Sequence, residues 1–177
     1  FACRLRVVLK TDSGDSIWSL SIKNVGTAPR AILTEFPRLD GLQLGAAEAV
    51  NRQTNLNQSG YLDEAWKGAG GIYGHGGQWS MQWHARFDPA SRSAMGLILE
   101  DPEIRNKRLV LKKPCLAVHY FPPQTLAPGE TLTLPPARLL VYEGDWKPTA
   151  RAYAAWYTKA FSHATAPEWV RQCESFD

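Results

Sequence analysis

What this chain lacks narrows its reading first. Its three cysteines, Cys3, Cys115 and Cys173, are odd in number and widely spaced. They form neither a disulfide framework nor a zinc pattern and read as buried or incidental thiols. No apolar run approaches the ~20 residues of a membrane span. The opening residues, Phe1-Ala2-Cys3-Arg4-Leu5-Arg6-Val7-Val8, are not a signal peptide; they look like a strand entered part-way, as if within a larger protein. Neither charge sign prevails: 20 Lys and Arg against 17 Asp and Glu leave a net +3. The basic residues are scattered, which argues against a nucleic-acid partner. There is no Gly-x-Ser-x-Gly elbow, no Cys with an adjacent His, and no ligand spacing among His75, His84, His119 and His163, so no cofactor or metal is implied.

What is present is an ordinary globular composition, 44% hydrophobic and 21% charged over 177 residues. That suffices for one domain with a real core, or one domain plus a terminal piece of another. Alternation dominates. Leu5, Val7 and Leu9 alternate with Arg4, Arg6 and Val8, which predicts a half-buried strand. After the turn cluster Thr11 to Asp15, the stretch from Ile17 to Val25 puts Trp18, Leu20 and Ile22 on one face and completes an antiparallel hairpin. Ala31 to Phe36 is a further strand stopped by Pro37, and Leu42 to Leu44 a short one.

From Leu39 to Trp66 the period is lost, and a long polar connection of this kind is uncommon unless it has a task. It leads into Gly68 to Gly77, where six of ten residues are glycine. This loop lacks the Lys-Ser/Thr of a phosphate loop and precedes a strand rather than a helix, so a phosphate site is not expected. It is either a folded crossing loop or one that delivers aromatic residues to a ligand edge. Seven Trp invite the second reading, because sugar rings stack on aromatic planes; Trp66, Tyr73, His75 and Trp79 are the carbohydrate-binding candidates, Trp66 and Tyr73 being the freer ones. Trp79 and Trp83 share a strand face with Met81 and Phe87, which favours core packing for that pair.

Trp79 to Phe87 and Ala94 to Glu100 form a second hairpin around Asp88 to Ser93, with a polar face of Ser80, Gln82, His84 and Arg86. Strands follow at Lys107 to Lys112, Cys115 to Phe121, Glu130 to Leu134 and Leu139 to Tyr142, with prolines between them. The close carboxylates Asp63-Glu64, Glu100-Asp101 and Glu143-Asp145 offer no convergent acid/base pair, since Asp145 reads as a helix cap and Glu100-Asp101 as a strand end. No catalytic residue is therefore assigned. Gly144-Asp145 opens the one long helix, with Pro148 in its first turn and Tyr153, Trp156, Tyr157 and Ala160 on one stripe. The fold class expected is all-β, an antiparallel sandwich with one C-terminal helix, spanning residues 1–163.

The order Ile17-Trp18-Ser19-Leu20-Ser21-Ile22-Lys23-Asn24, Glu35-Phe36-Pro37-Arg38-Leu39, Gly77 to Arg86, Ala127-Pro128-Gly129-Glu130, and Tyr142-Glu143-Gly144-Asp145-Trp146 before Tyr153-Ala154-Ala155-Trp156 resembles a known domain. It is the β-supersandwich, of galactose-mutarotase-like fold, that precedes the catalytic barrel in a group of bacterial glycoside hydrolases. The most specific piece is Gly-Asp-Trp followed by a helix with Tyr and Trp three apart. The resemblance implies an accessory, non-catalytic domain of a carbohydrate-active enzyme in a secreted or periplasmic setting. Residues 164–177, with Ala166-Pro167-Glu168-Trp169-Val170-Arg171, would then be the linker towards a (β/α)8 barrel that carries the catalytic carboxylates. A carbohydrate-binding module acting by aromatic stacking, and a stand-alone mutarotase or epimerase, are the alternatives.

Overall fold

The computed structural model describes residues 1–45, 52–54, 72–73, 81–112, 115–161 and 168. Eleven strands and one helix are found among them, and the architecture is an antiparallel β-sandwich closed by a C-terminal helix. The first sheet has the order β1-β2-β11-β7-β6-β4, with β10 also pairing β2. Its strands are β1 Ala2–Leu9, β2 Ser16–Lys23, β4 Arg52–Thr54, β6 Trp83–Phe87, β7 Ser93–Leu99, β10 Thr131–Thr133 and β11 Ala137–Glu143. The second sheet, β3-β9-β8-β5, is built from β3 Arg30–Leu39, β9 Cys115–Leu126, β8 Lys107–Lys112 and β5 Ile72–Tyr73.

Both predicted hairpins form. β1 and β2 pair without interruption from Ala2 opposite Lys23 to Leu9 opposite Ser16, and β6 pairs β7 from Trp83 opposite Ile98 to Phe87 opposite Ala94. The main core lies between the sheets and includes Leu97 and Leu99 of β7, Leu109 of β8 and Leu116 and Val118 of β9, each fully buried. Removing a side chain of this size from water stabilises by roughly 1.5–3 kcal/mol. A second cluster, Trp83, Ala85, Ile98, Leu140 and Tyr153, fills the space between the outer face of the first sheet and the helix α1, Lys147–Ala160.

Four local expectations are corrected. Pro37 does not stop β3, which runs to Leu39; it sits where the pairing register shifts between Glu35 and Arg38, a bulge in which a missing N–H is tolerated. β9 likewise continues through Pro122 and Pro123 to Leu126, past a register shift on its partner. Residues 42–44 form no strand, although Leu42 and Leu44 pack against the core. The expected half-buried β1 is exposed at all eight residues, because nothing among the described residues covers the edge of the sheet on which it lies.

Asn24, at the turn after β2, is fully buried and ties the sheets together. Its Nδ2 donates to the carbonyls of Ala28 and Leu126, both at 2.9 Å, and its Oδ1 accepts the Gly26 N–H at 3.0 Å. At the other end of the sheet, Asp145 accepts the Lys147 N–H at 2.9 Å but sits one residue before the cap position, which Trp146 holds without a side-chain bond. Pro148 lies in the first turn as expected. Thr149 and Tyr153 face the sheet, and the absence of a side chain at Gly96 makes the close approach feasible: a Cβ there would collide with Thr149 Oγ1.

Candidate functional site

The residues that carry polar chemistry converge in two places. The first is the space between the sheets. His84 and Arg86 stand opposite Leu97 and Met95 across the β6–β7 ladder, so they point into the main core rather than to solvent. The polar face that alternation assigns to this hairpin is therefore interior. Gln82, one residue before β6, joins it, and all three side chains are buried.

From the second sheet Lys107, the first residue of β8, reaches the same layer. Its Nζ donates to Gln82 Oε1 and to Asp101 Oδ2, each at 2.5 Å. Asp101 also accepts the backbone N–H groups of Glu103 at 3.2 Å and Arg105 at 2.9 Å, and pairs with the Arg105 guanidinium at 2.7 Å. Gln82 Nε2 donates back to the Asp101 carbonyl at 2.9 Å. The network is buried at Gln82, Asp101 and Lys107, with the Arg105 guanidinium at its outer end, and it ties the β6 end of the first sheet to β8 of the second.

Burial sets the protonation of this layer. It pushes the His84 imidazole down to about 3, with the neighbouring Arg86 charge acting in the same direction, so His84 is neutral at physiological pH. The Lys107 ammonium is drawn down to about 8 by burial, against the opposing pull of Asp101. The Tyr120 hydroxyl is pushed well above the ordinary phenol range by burial and, secondarily, by the Asp101 charge. Burial also lowers Arg86, whose Nε and Nη2 are buried without a hydrogen-bond partner among the described residues. A proton acceptor for chemistry on a soluble substrate needs access and a value near the working pH. His84 has neither, so it is not placed to act on a soluble substrate.

The second place is the helix side of the first sheet. Trp83 and Trp146 stack with ring centroids 6.3 Å apart and planes 20° from parallel. Along α1, Tyr153 meets Trp156 at 5.6 Å and Tyr157 at 5.9 Å, and Tyr157 meets Phe161 at 4.7 Å. Tyr153 is buried, Trp156 half-buried and Tyr157 40% exposed, so the predicted stripe rolls from the sheet towards solvent. Met81, Trp83, Trp146, Ala150, Tyr153 and Tyr157 line a groove of about 320 Å³. Among the described residues its lining is aromatic, methionine and alanine side chains, with no carboxylate, side-chain amide or guanidinium.

Of the sequence candidates, Trp66, His75 and Trp79 lie outside the described residues, as do Asp63 and Glu64. Tyr73 lies in β5, opposite Lys107 in the ladder. The core reading holds for Trp83, 2% exposed, and for Phe87, while Met81 is 37% exposed at the groove. Asp145 serves the helix start, and His119 lies 3.1 Å from Glu35 as a half-exposed pair. Among the described residues no group of three or more His, Cys, Asp or Glu could hold a metal ion, and no helix is long and apolar enough to cross a membrane. Cys3 is exposed and Cys115 half-buried, both free. Of the expected linker 164–177, only Glu168 is described.

No protein-family model matches the chain, and no curated protein matches it either. The functional reading therefore rests on the residues themselves.

Two engaged carboxylates escaped the sequence reading. Asp101 reads as a strand end, yet it organises the interior network; the following Pro102 was a usable signal, since Asp-Pro initiates turns in which the Asp side chain gathers backbone N–H groups. Asp15 reads as part of a turn cluster, yet it is buried against Arg138, whose Nε donates to it at 2.9 Å. No local pattern announces that pair, which spans 123 positions.

Proposed function

We propose that this chain is an accessory, non-catalytic β-sandwich domain of a carbohydrate-active enzyme, a glycoside hydrolase, whose helix side forms the seat for a catalytic (β/α)8 barrel. The assignment to the galactose-mutarotase-like supersandwich rests on the motif order quoted above, from Ile17-Trp18 to Gly144-Asp145-Trp146 and its helix. It is an inference from resemblance, on a fold class that hosts many functions.

The observation that carries the scaffold reading over a sugar-binding one is the chemistry of the groove beside α1. A sugar ring needs an aromatic plane and also several polar groups to meet its hydroxyls, which otherwise lose their water without compensation. Among the described residues the groove offers planes and almost no partners. Apolar side chains of a neighbouring domain need no such partners, and an exposed tyrosine such as Tyr157 suits a domain interface.

The test pairs an activity assay with a titration. Purified protein should turn over no aryl glycoside and should not accelerate glucose or galactose anomer exchange; turnover of either substrate contradicts the proposal. Oligosaccharides should leave tryptophan fluorescence unchanged. A saturable change abolished by Trp146→Ala, Trp66→Ala or Tyr73→Ala would favour the binding module instead.

A further inference from the structure

β1 is an edge strand that carries cationic side chains but neither a bulge nor a proline. Among the described residues it pairs only with β2; it contains no proline and runs its full register without a bulge. Soluble proteins commonly blunt such edges with a bulge, a proline or an inward charge, because the free row of N–H and C=O groups is a template for another strand. Here the side chains facing the same way as Trp18, Leu20 and Ile22 are Cys3, Leu5, Val7 and Leu9. Leu5 is 55% exposed, Val7 43% and Leu9 73%. An apolar strip thus continues the inner face of the sheet beyond its cover. On the opposite face Arg4 and Arg6 are exposed and make no ion pair among the described residues, and Lys10 follows in line.

We propose that β1 is a docking edge for an extended segment of a partner polypeptide in which apolar residues alternate with acidic ones. Backbone pairing supplies affinity and the alternate side chains supply selection. The apolar set covers Leu5, Val7 and Leu9, while the carboxylates meet Arg4 and Arg6 across the strands. Charge decides against a second copy of the chain as occupant. Any β1–β1 pairing that keeps the apolar side chains on one face gathers Arg4, Arg6 and Lys10 of one strand among the same residues of the other, and like charges facing each other across strands are destabilising.

The test uses two soluble peptides, one alternating valine with glutamate and the other alternating valine with lysine, added to the intact protein and followed by hydrogen exchange. The glutamate peptide should protect those β1 amides that do not bond to β2, bind about tenfold or more tightly than the lysine peptide, and weaken with salt. The double variant Arg4→Glu/Arg6→Glu should invert the preference. Equal binding of both peptides, no binding of either, or an unchanged preference in the double variant would overturn the proposal. So would protection of the same amides that appears without peptide and rises with protein concentration, because it would identify a second copy as the occupant.

Discussion

β1 and β6 lie towards opposite edges of one sheet, and both alternate apolar with polar residues, yet their environments are reversed. All eight residues of β1 are exposed, including Leu5 and Leu9, whereas all five of β6 are buried, including His84 and Arg86. A strand's own pattern therefore says which side chains share a face and leaves open whether either face is covered. β6 has α1 on one side and the second sheet on the other; β1 has neither. The difference assigns different work to the two edges. β6 belongs to an enclosed body built over the Gln82–Lys107–Asp101 network, and β1 is a surface for contact.

The largest way to break this comparison is to cut the network under β6. Asp101→Ala leaves the Lys107 ammonium buried beside a guanidinium without its carboxylate, and should lower the unfolding free energy by about 3–5 kcal/mol in urea melts. A loss under about 1 kcal/mol would mean that water reaches the layer and that β6 is not enclosed.

The cover on the other face of β6 is tested at Gly96, its cross-strand neighbour opposite Ala85. Gly96→Ala should cost about 1–3 kcal/mol by driving a methyl into Thr149, and Thr149→Ala in the same chain should recover most of the loss. Additive losses would show that the helix does not rest there.

A graded effect, about 1.4 kcal/mol or less for each pH unit, comes from His84. Its folded value near 3 lies below the ordinary 6.5, so the unfolded chain takes up the proton first. The neutral imidazole is fully accommodated above about pH 6.5, and stability should fall as pH drops below that, at up to about 1.4 kcal/mol per pH unit towards the folded value. His84→Gln should flatten the slope between about pH 6.5 and 4.5, above the range in which most carboxylates titrate. An unchanged slope would place the imidazole in contact with solvent. At the opposite edge, Leu5→Thr should shift stability by no more than about 0.5 kcal/mol, as for an uncovered surface residue.

Much of the fold was legible because alternation is a local signal. The two hairpins, the strands at Lys107, Cys115 and Thr131, and the helix after Gly144 follow from side-chain period and turn residues alone. Pro37 and Pro122 misled because a bulge removes the need for the missing N–H, and a bulge depends on the partner strand. The interior polar layer was legible as a face but not as an interior, since Gln82 and Lys107 meet across 25 positions and only the pairing of the sheets brings them together. The aromatic stripe of α1 was visible in its spacing, and the groove it forms with Trp83 and Trp146 was not, because Trp146 reads simply as part of the helix start.

Residue-resolved hydrogen exchange on the free protein, followed by addition of the glutamate-alternating peptide, tests the contrast between the two edges most directly. The account predicts that β6 amides exchange only through global opening, while the β1 amides not bonded to β2 exchange near the intrinsic rate and slow when the peptide is added. Slow exchange along the whole of β1 in dilute free protein, or rapid exchange through β6, would contradict it.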